Sequence, residues 1–302
     1  MSKAKKIGNE KFIVSDKDFV RVKTSGNIIE VMSSRFQSRQ QTQKLDKNNY
    51  IVLSTGELRQ YEHTETRAEN AVSIKKSMRN LRDIINTNCA DTTKCKFLTL
   101  TYRDNMRDTD RLYTDIKKFF MRLRYHLKNT KFEYITVIEP QGRGAWHAHI
   151  LLIFNKRAPF IPNSDIEKIW GNGFTKITNI DSIDNIGAYL TAYLTDLDIE
   201  QASLQDIKQA KNIKEVETLD KDGNKVSKRV IKGGRLKYYP TGTRFYRCSR
   251  GVKRPQVIQC SYSKAREIVG NATLCYEKTS ALTKDNGEVI NVFKYEQYNK
   301  LR

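Results

Sequence analysis

The sequence predicts an α+β fold with a central antiparallel sheet of about five strands flanked by helices. Runs rich in Thr, β-branched and aromatic residues predict strands over 95–102, 131–139 and 147–154. Apolar residues recur at helical spacing over 69–86 and 110–127. The resulting order is strand, helix, strand, short loop, strand. It is typical of an α+β domain whose neighbouring strands run antiparallel.

Each predicted element has its own pattern. The first helix has an apolar stripe formed by Val72, Ile74, Met78, Leu81 and Ile85. The second helix has a stripe formed by Leu112, Ile116, Phe119, Phe120, Leu123 and Leu127. A loop that contains glycine joins the last two strands. Further along, Trp170, Gly171 and Gly173 indicate a helix end and a turn, and another helix is predicted over 182–197.

Changes in composition divide the chain into four segments. Residues 1–68 are polar and mixed, and predict a loosely structured N-terminal extension with one or two short strands. Residues 69–200 hold the periodic elements and form the predicted core. Residues 201–266 form a basic segment that completes or flanks this core. Residues 267–302 form a C-terminal segment to which the sequence assigns no role.

The net charge of +21 favours a polyanionic partner, either nucleic acid or an anionic membrane surface. No run approaches the roughly 18 apolar residues of a membrane span, and the basic N-terminus lacks the apolar stretch of a secretory signal. The five cysteines show no CxxC spacing, which predicts reduced thiols. These observations predict a cytoplasmic protein without membrane contacts.

Two histidines one residue apart, His147 and His149, begin the strand over 147–154. Alternate residues of a strand point to the same face, so the two imidazoles project together. If this strand forms a hairpin with 131–139, Glu139 lies near His147. Two imidazoles and a carboxylate are compatible with Mg²⁺ or Mn²⁺, and also with Zn²⁺ or Fe²⁺.

Other interpretations of the histidine pair stay open at this point. A half-buried strand with two hydrogen-bonded histidines explains the pair equally well. A histidine-triad hydrolase requires a third histidine where Leu151 stands. An iron oxygenase with two histidines and one carboxylate usually has ligands farther apart in sequence, and it leaves the net charge unexplained.

Two tyrosines, Tyr189 and Tyr193, lie four residues apart in the helix predicted over 182–197, so their side chains share one helical face. Packing in the core is the ordinary role of such a pair. The alternative is that one phenol attacks a phosphodiester and forms a covalent intermediate. A phenol is a weak nucleophile at neutral pH, and it needs a metal that polarises the phosphate. The tyrosine pair and the histidine pair therefore account for each other.

Taken in order, FLTLTY (97–102), EPQGRGAWHAH (139–149) and YLTAY (189–193) resemble the three motifs of HUH endonucleases. They are more closely similar to rolling-circle replication initiators of phages and plasmids that have two tyrosines. The resemblance spans about residues 95–197, with the helix over 110–127 in the expected place.

The resemblance implies a role for each matching position. It makes His147 and His149 metal ligands and Glu139 the third ligand, with Mg²⁺ or Mn²⁺ as the cofactor. It makes Tyr193 the nucleophile that becomes linked to the 5′ phosphate, and Tyr189 the second tyrosine. Family members often have lysine just before the second tyrosine and three residues after it. This chain has Ala192 and Asp196 there, so contacts to the phosphate must come from elsewhere.

The segment over 223–266 contains 13 lysines and arginines and no acidic residue. Cations neutralise phosphates and aromatic faces stack on unpaired bases, so this composition predicts binding to single-stranded DNA. A solvated basic connection anchored by a few aromatic residues is the alternative. The predicted DNA-binding residues are Arg244, Tyr246, Arg247, Arg250, Lys253 and Arg254.

These patterns together predict an enzyme that nicks single-stranded origin DNA, with flanking duplex as a further contact, and initiates rolling-circle replication. No GxxxxGK[ST] motif occurs, so unwinding is expected from a host helicase and synthesis from a host polymerase. Relaxases and transposases share this chemistry, but the tyrosine of a relaxase usually precedes its histidine motif. A non-catalytic nucleic-acid-binding protein explains the charge but not the order of the three motifs.

Overall fold

The computed structural model describes a chain of two compact units. Met1–Thr64 and Pro255–Arg302 form unit 1, and Glu65–Arg254 forms unit 2. None of the described helices is both long and apolar enough to cross a membrane. The described residues are 3–5, 12–36, 42–61, 71–128, 130–141, 144–180, 187, 196–210, 213–219, 225–239, 243–283 and 286–302.

Strands and helices are numbered here in chain order. The described strands are β1 Lys3–Lys5, β2 Phe19–Ser25, β3 Ile28–Ser34, β4 Thr42–Lys44, β5 Asn49–Val52, β6 Glu57–Gln60, β7 Cys95–Thr101, β8 Phe132–Pro140, β9 Trp146–Phe154, β10 Thr175–Asn179, β11 Leu197–Asp198, β12 Ile213–Leu219, β13 Lys225–Ile231, β14 Tyr246–Cys248, β15 Gln256–Ser261, β16 Thr273–Thr283 and β17 Val289–Asn299. The described helices are α1 Ala71–Asn88, α2 Thr109–His126, α3 Asn163–Trp170, α4 Leu204–Gln209 and α5 Tyr262–Val269.

Unit 2 is built on a five-stranded antiparallel sheet in the order β10-β7-β9-β8-β14. Helices α2 and α3 pack on one face, where their apolar side chains meet Leu98, Leu100 and Ile150. Helix α1 packs on the other face, against Val137 and Leu151. The predicted α+β class and five-stranded antiparallel sheet are therefore confirmed.

Local sequence accounts for the boundaries of these elements. The Asp108 side chain accepts hydrogen bonds from the backbone N–H groups of Asp110 and Arg111, and so caps the start of α2. The apolar stripe predicted for this helix is buried from Leu112 to Leu123. The β8–β9 hairpin is also confirmed, with Glu139 directly opposite His147.

A glycine fixes the end of β7 beside the end of β10. Gly173 has φ 149°, and a Cβ there would lie 2.4 Å from the backbone nitrogen of Arg103 and 2.7 Å from the carbonyl oxygen of Thr101. Only glycine permits such a close crossing of two backbone segments. The crossing lets the Trp170 indole donate to the Thr101 carbonyl at 3.0 Å.

Unit 1 combines strands from both ends of the chain in a six-stranded sheet, in the order β1-β16-β17-β3-β2-β15. Gly26 and Asn27 form a two-residue turn between β2 and β3, with Gly26 at φ 61°. Helix α5 contributes to the core of this unit, which contains Val20, Val22, Ile29, Val31, Ala265 and Val269.

The polar composition of residues 1–68 predicted a loose extension with one or two short strands, whereas β1 to β6 all lie there. The apolar alternation of β2 and β3 is short, and their other partners, β15 and β17, are more distant in sequence than any local pattern reaches. The helix predicted over 182–197 lies outside the described residues except at Gly187, Asp196 and Leu197.

Candidate active site

The two histidines of β9 lie on the sheet face that α1 covers. His147 pairs with Thr101 of β7 and with Glu139 of β8, and His149 pairs with Thr99 and Val137. Because directly opposed residues share a face, the imidazoles, the carboxylate and the two threonine hydroxyls belong to one surface of the sheet. The ring centroids of His147 and His149 are 6.3 Å apart.

His149 is held by contacts to both neighbouring strands. Its Nε2 lies 2.7 Å from Oε2 of Glu139, and its Nδ1 lies 3.2 Å from Oγ1 of Thr99. Its ring stacks on Phe97, with 5.6 Å between centroids and 5° between planes. Burial lowers the pKa of His149 to about 4, so the imidazole is neutral near pH 7. A neutral ring satisfies both contacts when Nε2–H donates to Glu139 and the threonine hydroxyl donates to Nδ1.

Glu139 is buried near the end of β8, and both of its carboxylate oxygens have partners. Oε2 contacts His149, while Oε1 forms an ion pair with the guanidinium of Arg235. The side chains of Glu139 and Arg235 are 10% and 12% exposed. A carboxylate this buried requires such partners, because desolvation of an unpaired charge is costly.

The donor set fits a hard divalent cation by chemistry and by location. Two neutral imidazoles and one carboxylate share a face, and one imidazole nitrogen already lies within 2.7 Å of a carboxylate oxygen. In the described part of the chain, however, no three His, Cys, Asp or Glu side chains are grouped closely enough to hold a metal ion. The Oε1 atom of Glu139 is engaged by Arg235 instead.

Tyr189 and Tyr193 lie outside the described residues, but described residues on either side of them are anchored near the site. The N–H of Gly187 donates to Oδ1 of Asn86 in α1 at 2.8 Å. A Cβ on Gly187 would lie 2.4 Å from the carbonyl oxygen of Arg82, so only glycine allows this approach to α1. After the tyrosines, Oδ1 of Asp196 accepts from the Gly233 N–H at 3.1 Å.

The Asp196 carboxylate also forms an ion pair with Lys232. Asp196 stands where family members often have lysine, and here it binds a lysine that comes from another part of the chain. Lys232 and Arg235 belong to one turn after β13, and this turn therefore brings two cations to the site. Neither residue was predicted from the sequence. The acid-free composition over 223–266 was the available signal, but it does not identify which cations approach Glu139.

The arginines of the basic segment line a cleft of about 920 Å³ along β14, the edge strand of the sheet. Ser77 of α1 contributes to the wall of this cleft. Five of the six predicted DNA-binding residues line it: Arg244, Tyr246, Arg247, Arg250 and Arg254. The sixth, Lys253, is exposed but does not line the cleft, and its backbone is bound at both N–H and C=O by the Asn88 side chain.

Specific contacts hold the cleft rigid. The guanidinium of Arg247 lies 3.4 Å from the centroid of the Tyr113 ring in α2, which is a cation–π contact. Ser249 accepts from the Tyr134 N–H at 2.8 Å through its hydroxyl, and the Gly251 N–H donates to the Glu133 carboxylate at 3.1 Å. These bonds attach the chain after β14 to β8, while the arginine side chains stay exposed.

Residues 95–198 match the model of a protein family described as Replication-associated protein, of the ORF2 type. This range is about a third of the chain, and it runs from β7 through the β8–β9 hairpin to the residues after the two tyrosines. Comparison with curated proteins and with solved structures gave no significant match. The family match supports a replication-associated protein of the Rep type.

Proposed function

We propose that this protein is a metal-dependent, tyrosine-type endonuclease and strand transferase for single-stranded DNA, and that it initiates rolling-circle replication. The observation that carries the proposal is the grouping of Glu139, His147 and His149 on one sheet face, within the range that matches the replication-associated family. The charge of the chain and the arginine cleft fit a nucleic-acid substrate.

His147, His149 and Glu139 would hold Mg²⁺ or Mn²⁺. When bound, the cation supplies Lewis-acid polarisation of a non-bridging oxygen of the scissile phosphate. Thr99 orients the His149 ring, as partners of ligating histidines commonly do. For Nε2 of His149 to bind a cation, its proton must move to Nδ1, where the Thr99 hydroxyl can accept it.

In the proposed reaction the phenol oxygen of Tyr193 attacks the phosphorus and loses its proton to solvent. The P–O3′ bond breaks, and the leaving oxygen takes up a proton to become a free 3′-OH. The products are a 5′-phosphotyrosine link and a primer end, so atoms and charge balance. The second tyrosine, Tyr189, would repeat the attack at the regenerated origin, and the first 3′-OH would then displace the link and close the strand.

The arginine cleft would hold the DNA strand next to the scissile phosphate. Tyr246 of β14 is opposite Val137 of β8, which is opposite His149 of β9. Two strand spacings separate Tyr246 from His149, a distance of about 10 Å. A single strand that passes along the cleft therefore reaches the histidine face within a few nucleotides, with arginines along its phosphates.

The test is covalent adduct formation on single-stranded DNA from the protein's own replicon, with Mg²⁺ or Mn²⁺, resolved on a denaturing gel. The wild type should form an adduct that EDTA prevents. Tyr193→Phe should abolish the first cut, and His149→Ala should abolish cleavage while most DNA affinity is kept. Tyr125→Phe is the matched control, because Tyr125 is 87% exposed on α2, the helix on the opposite sheet face.

Absence of an adduct with the wild type on a verified origin would refute the nuclease. DNA affinity without an adduct would instead favour a non-catalytic binding protein that uses the cleft alone. If Tyr189→Phe loses the first cut and Tyr193→Phe keeps it, the two tyrosines exchange roles. Cleavage of transfer or transposon ends, with no activity at a replication origin, would point to a relaxase or transposase.

A further inference from the structure

The ion pair between Arg235 and Glu139 places a fixed cation on the carboxylate that the proposed function assigns to metal. Arg235 contacts Oε1, and His149 contacts Oε2 at 2.7 Å. The guanidinium is the more deeply buried of the two cations in its turn, with 12% of its side chain exposed against 35% for Lys232.

The position of Arg235 is enforced by the turn that carries it. The Gly234 N–H bonds to the Ile231 carbonyl at 3.1 Å, which closes the turn after β13. On the other side, the hydroxyl of Tyr239 donates to the carbonyl of Ile138 at 2.9 Å. Tyr239 is 1% exposed, and Ile138 is the residue before Glu139. The turn is therefore bound to β8 next to the carboxylate that Arg235 reaches.

A guanidinium and a divalent cation repel each other at this range, because two like charges a few ångströms apart in a buried site interact strongly. A cation held by Glu139 and the histidines must also take the Nε2 atom of His149, which now donates to the same carboxylate. Metal binding thus requires both partners of Glu139 to rearrange, and Arg235 is the one that carries a charge.

We propose that Arg235 is a positioning residue that takes the place of the divalent cation on Glu139 when the site is empty of metal, and competes with metal for this carboxylate. The inference rests on the proposed metal site. Arg235 keeps the carboxylate aligned and its charge balanced before metal arrives, and it lowers the metal affinity of the protein. Once displaced, its fork of N–H donors is suited to a phosphate oxygen.

The test is a calorimetric titration of the full chain with MnCl₂ in the absence of DNA. Arg235→Gln should bind Mn²⁺ about tenfold more tightly than the wild type, the change expected when one charge-assisted contact no longer competes. Lys232→Gln is the matched control: it removes the same charge from the same turn, but from a more exposed pair that does not involve Glu139. Its affinity should stay within about twofold of the wild type.

A second measurement does not depend on the folding of the Arg235→Gln variant. In the wild type, Mg²⁺ titration should shift the NMR signal of the Arg235 Nε–H, which is assigned by its loss in Arg235→Lys. Unchanged or weaker Mn²⁺ binding by Arg235→Gln would overturn the inference, and so would an Nε–H signal that stays fixed at saturating Mg²⁺.

The Glu139→Gln variant separates this inference from the proposed function. If the wild type binds Mn²⁺ and Glu139→Gln does not, the metal site stands, and only the comparison between Arg235→Gln and wild type decides the competition. If wild type and Glu139→Gln bind Mn²⁺ equally, or neither binds it, the proposed metal site itself fails.

Discussion

Thr99 and His149 face each other across β7 and β9, with 3.2 Å between the threonine hydroxyl and Nδ1 of the imidazole. This contact fixes which nitrogen of the ring is turned toward Glu139, because Nε2 lies 2.7 Å from that carboxylate. A histidine ligand is useful to a metal site only when its ring is held in this way. The hydroxyl of Thr99 is therefore part of the candidate site.

Thr99→Val should weaken Mn²⁺ binding by about tenfold, because the ring loses the partner that orients it. Calorimetric titration with MnCl₂ measures the effect. Thr136→Val is the matched control on the same sheet. Thr136 is buried on the opposite face, and its hydroxyl has no hydrogen-bond partner among the described residues. This control should bind Mn²⁺ like the wild type, and equal losses in both variants would contradict the role of Thr99.

Replacement of two cleft arginines should reduce the salt dependence of DNA binding. Arg250 and Arg254 both line the cleft and are exposed. The double variant with glutamine at both positions should lower the slope of log K against log salt by about 1.4, or about 0.7 for each phosphate contact to a single strand. Fluorescence anisotropy with a labelled oligonucleotide, at several salt concentrations, measures this slope.

The charge-matched control for the cleft is the double variant of Lys117 and Lys118 to glutamine. Both lysines are exposed on α2, the helix on the opposite sheet face. It removes the same charge from the protein, so a general electrostatic effect would appear equally in both double variants. An equal loss of slope would show that DNA binding does not depend on the cleft.

Tyr239→Phe should lower the free energy of unfolding by about 1–2 kcal/mol, because the buried carbonyl of Ile138 loses its donor. Urea unfolding followed by circular dichroism measures this change. Tyr125→Phe removes a hydroxyl from a side chain that is 87% exposed, and it should leave the midpoint unchanged. If both variants unfold at the wild-type midpoint, the turn that carries Arg235 is not held to β8 through this bond.

Gly187→Ala should destabilise unit 2 and reduce adduct formation. The added methyl group would lie 2.4 Å from the Arg82 carbonyl oxygen and 2.8 Å from Oδ1 of Asn86, so the backbone must move away from α1. Overpacking of this kind typically costs about 1–3 kcal/mol. Gly56→Ala adds a methyl group where no atom lies within 4 Å, and adduct formation should be unaffected there. Full adduct yield from Gly187→Ala would show that this approach is not needed.

Periodicity in the sequence predicted the elements that position the site. Alternation in 147–154 placed His147 and His149 on one face, and the hairpin brought Glu139 opposite His147. The pairing of Arg235 with Glu139 could not be predicted in this way. It depends on a bond between Tyr239 and Ile138, 101 residues apart, and on a turn whose local sequence looks like any basic loop. The roles of Tyr189 and Tyr193 stay predictions.

The arrangement of unit 1 sets which part of the chain can be removed without damage. In its sheet the strand formed last, β17, lies in the interior between β16 and β3. Deletion of residues 289–302 would therefore not trim an edge: it would separate β1 and β16 from the other three strands. Unit 2, by contrast, is fully synthesised before β15 to β17 exist. During translation the nuclease candidate can thus complete its fold while unit 1 still lacks half of its sheet.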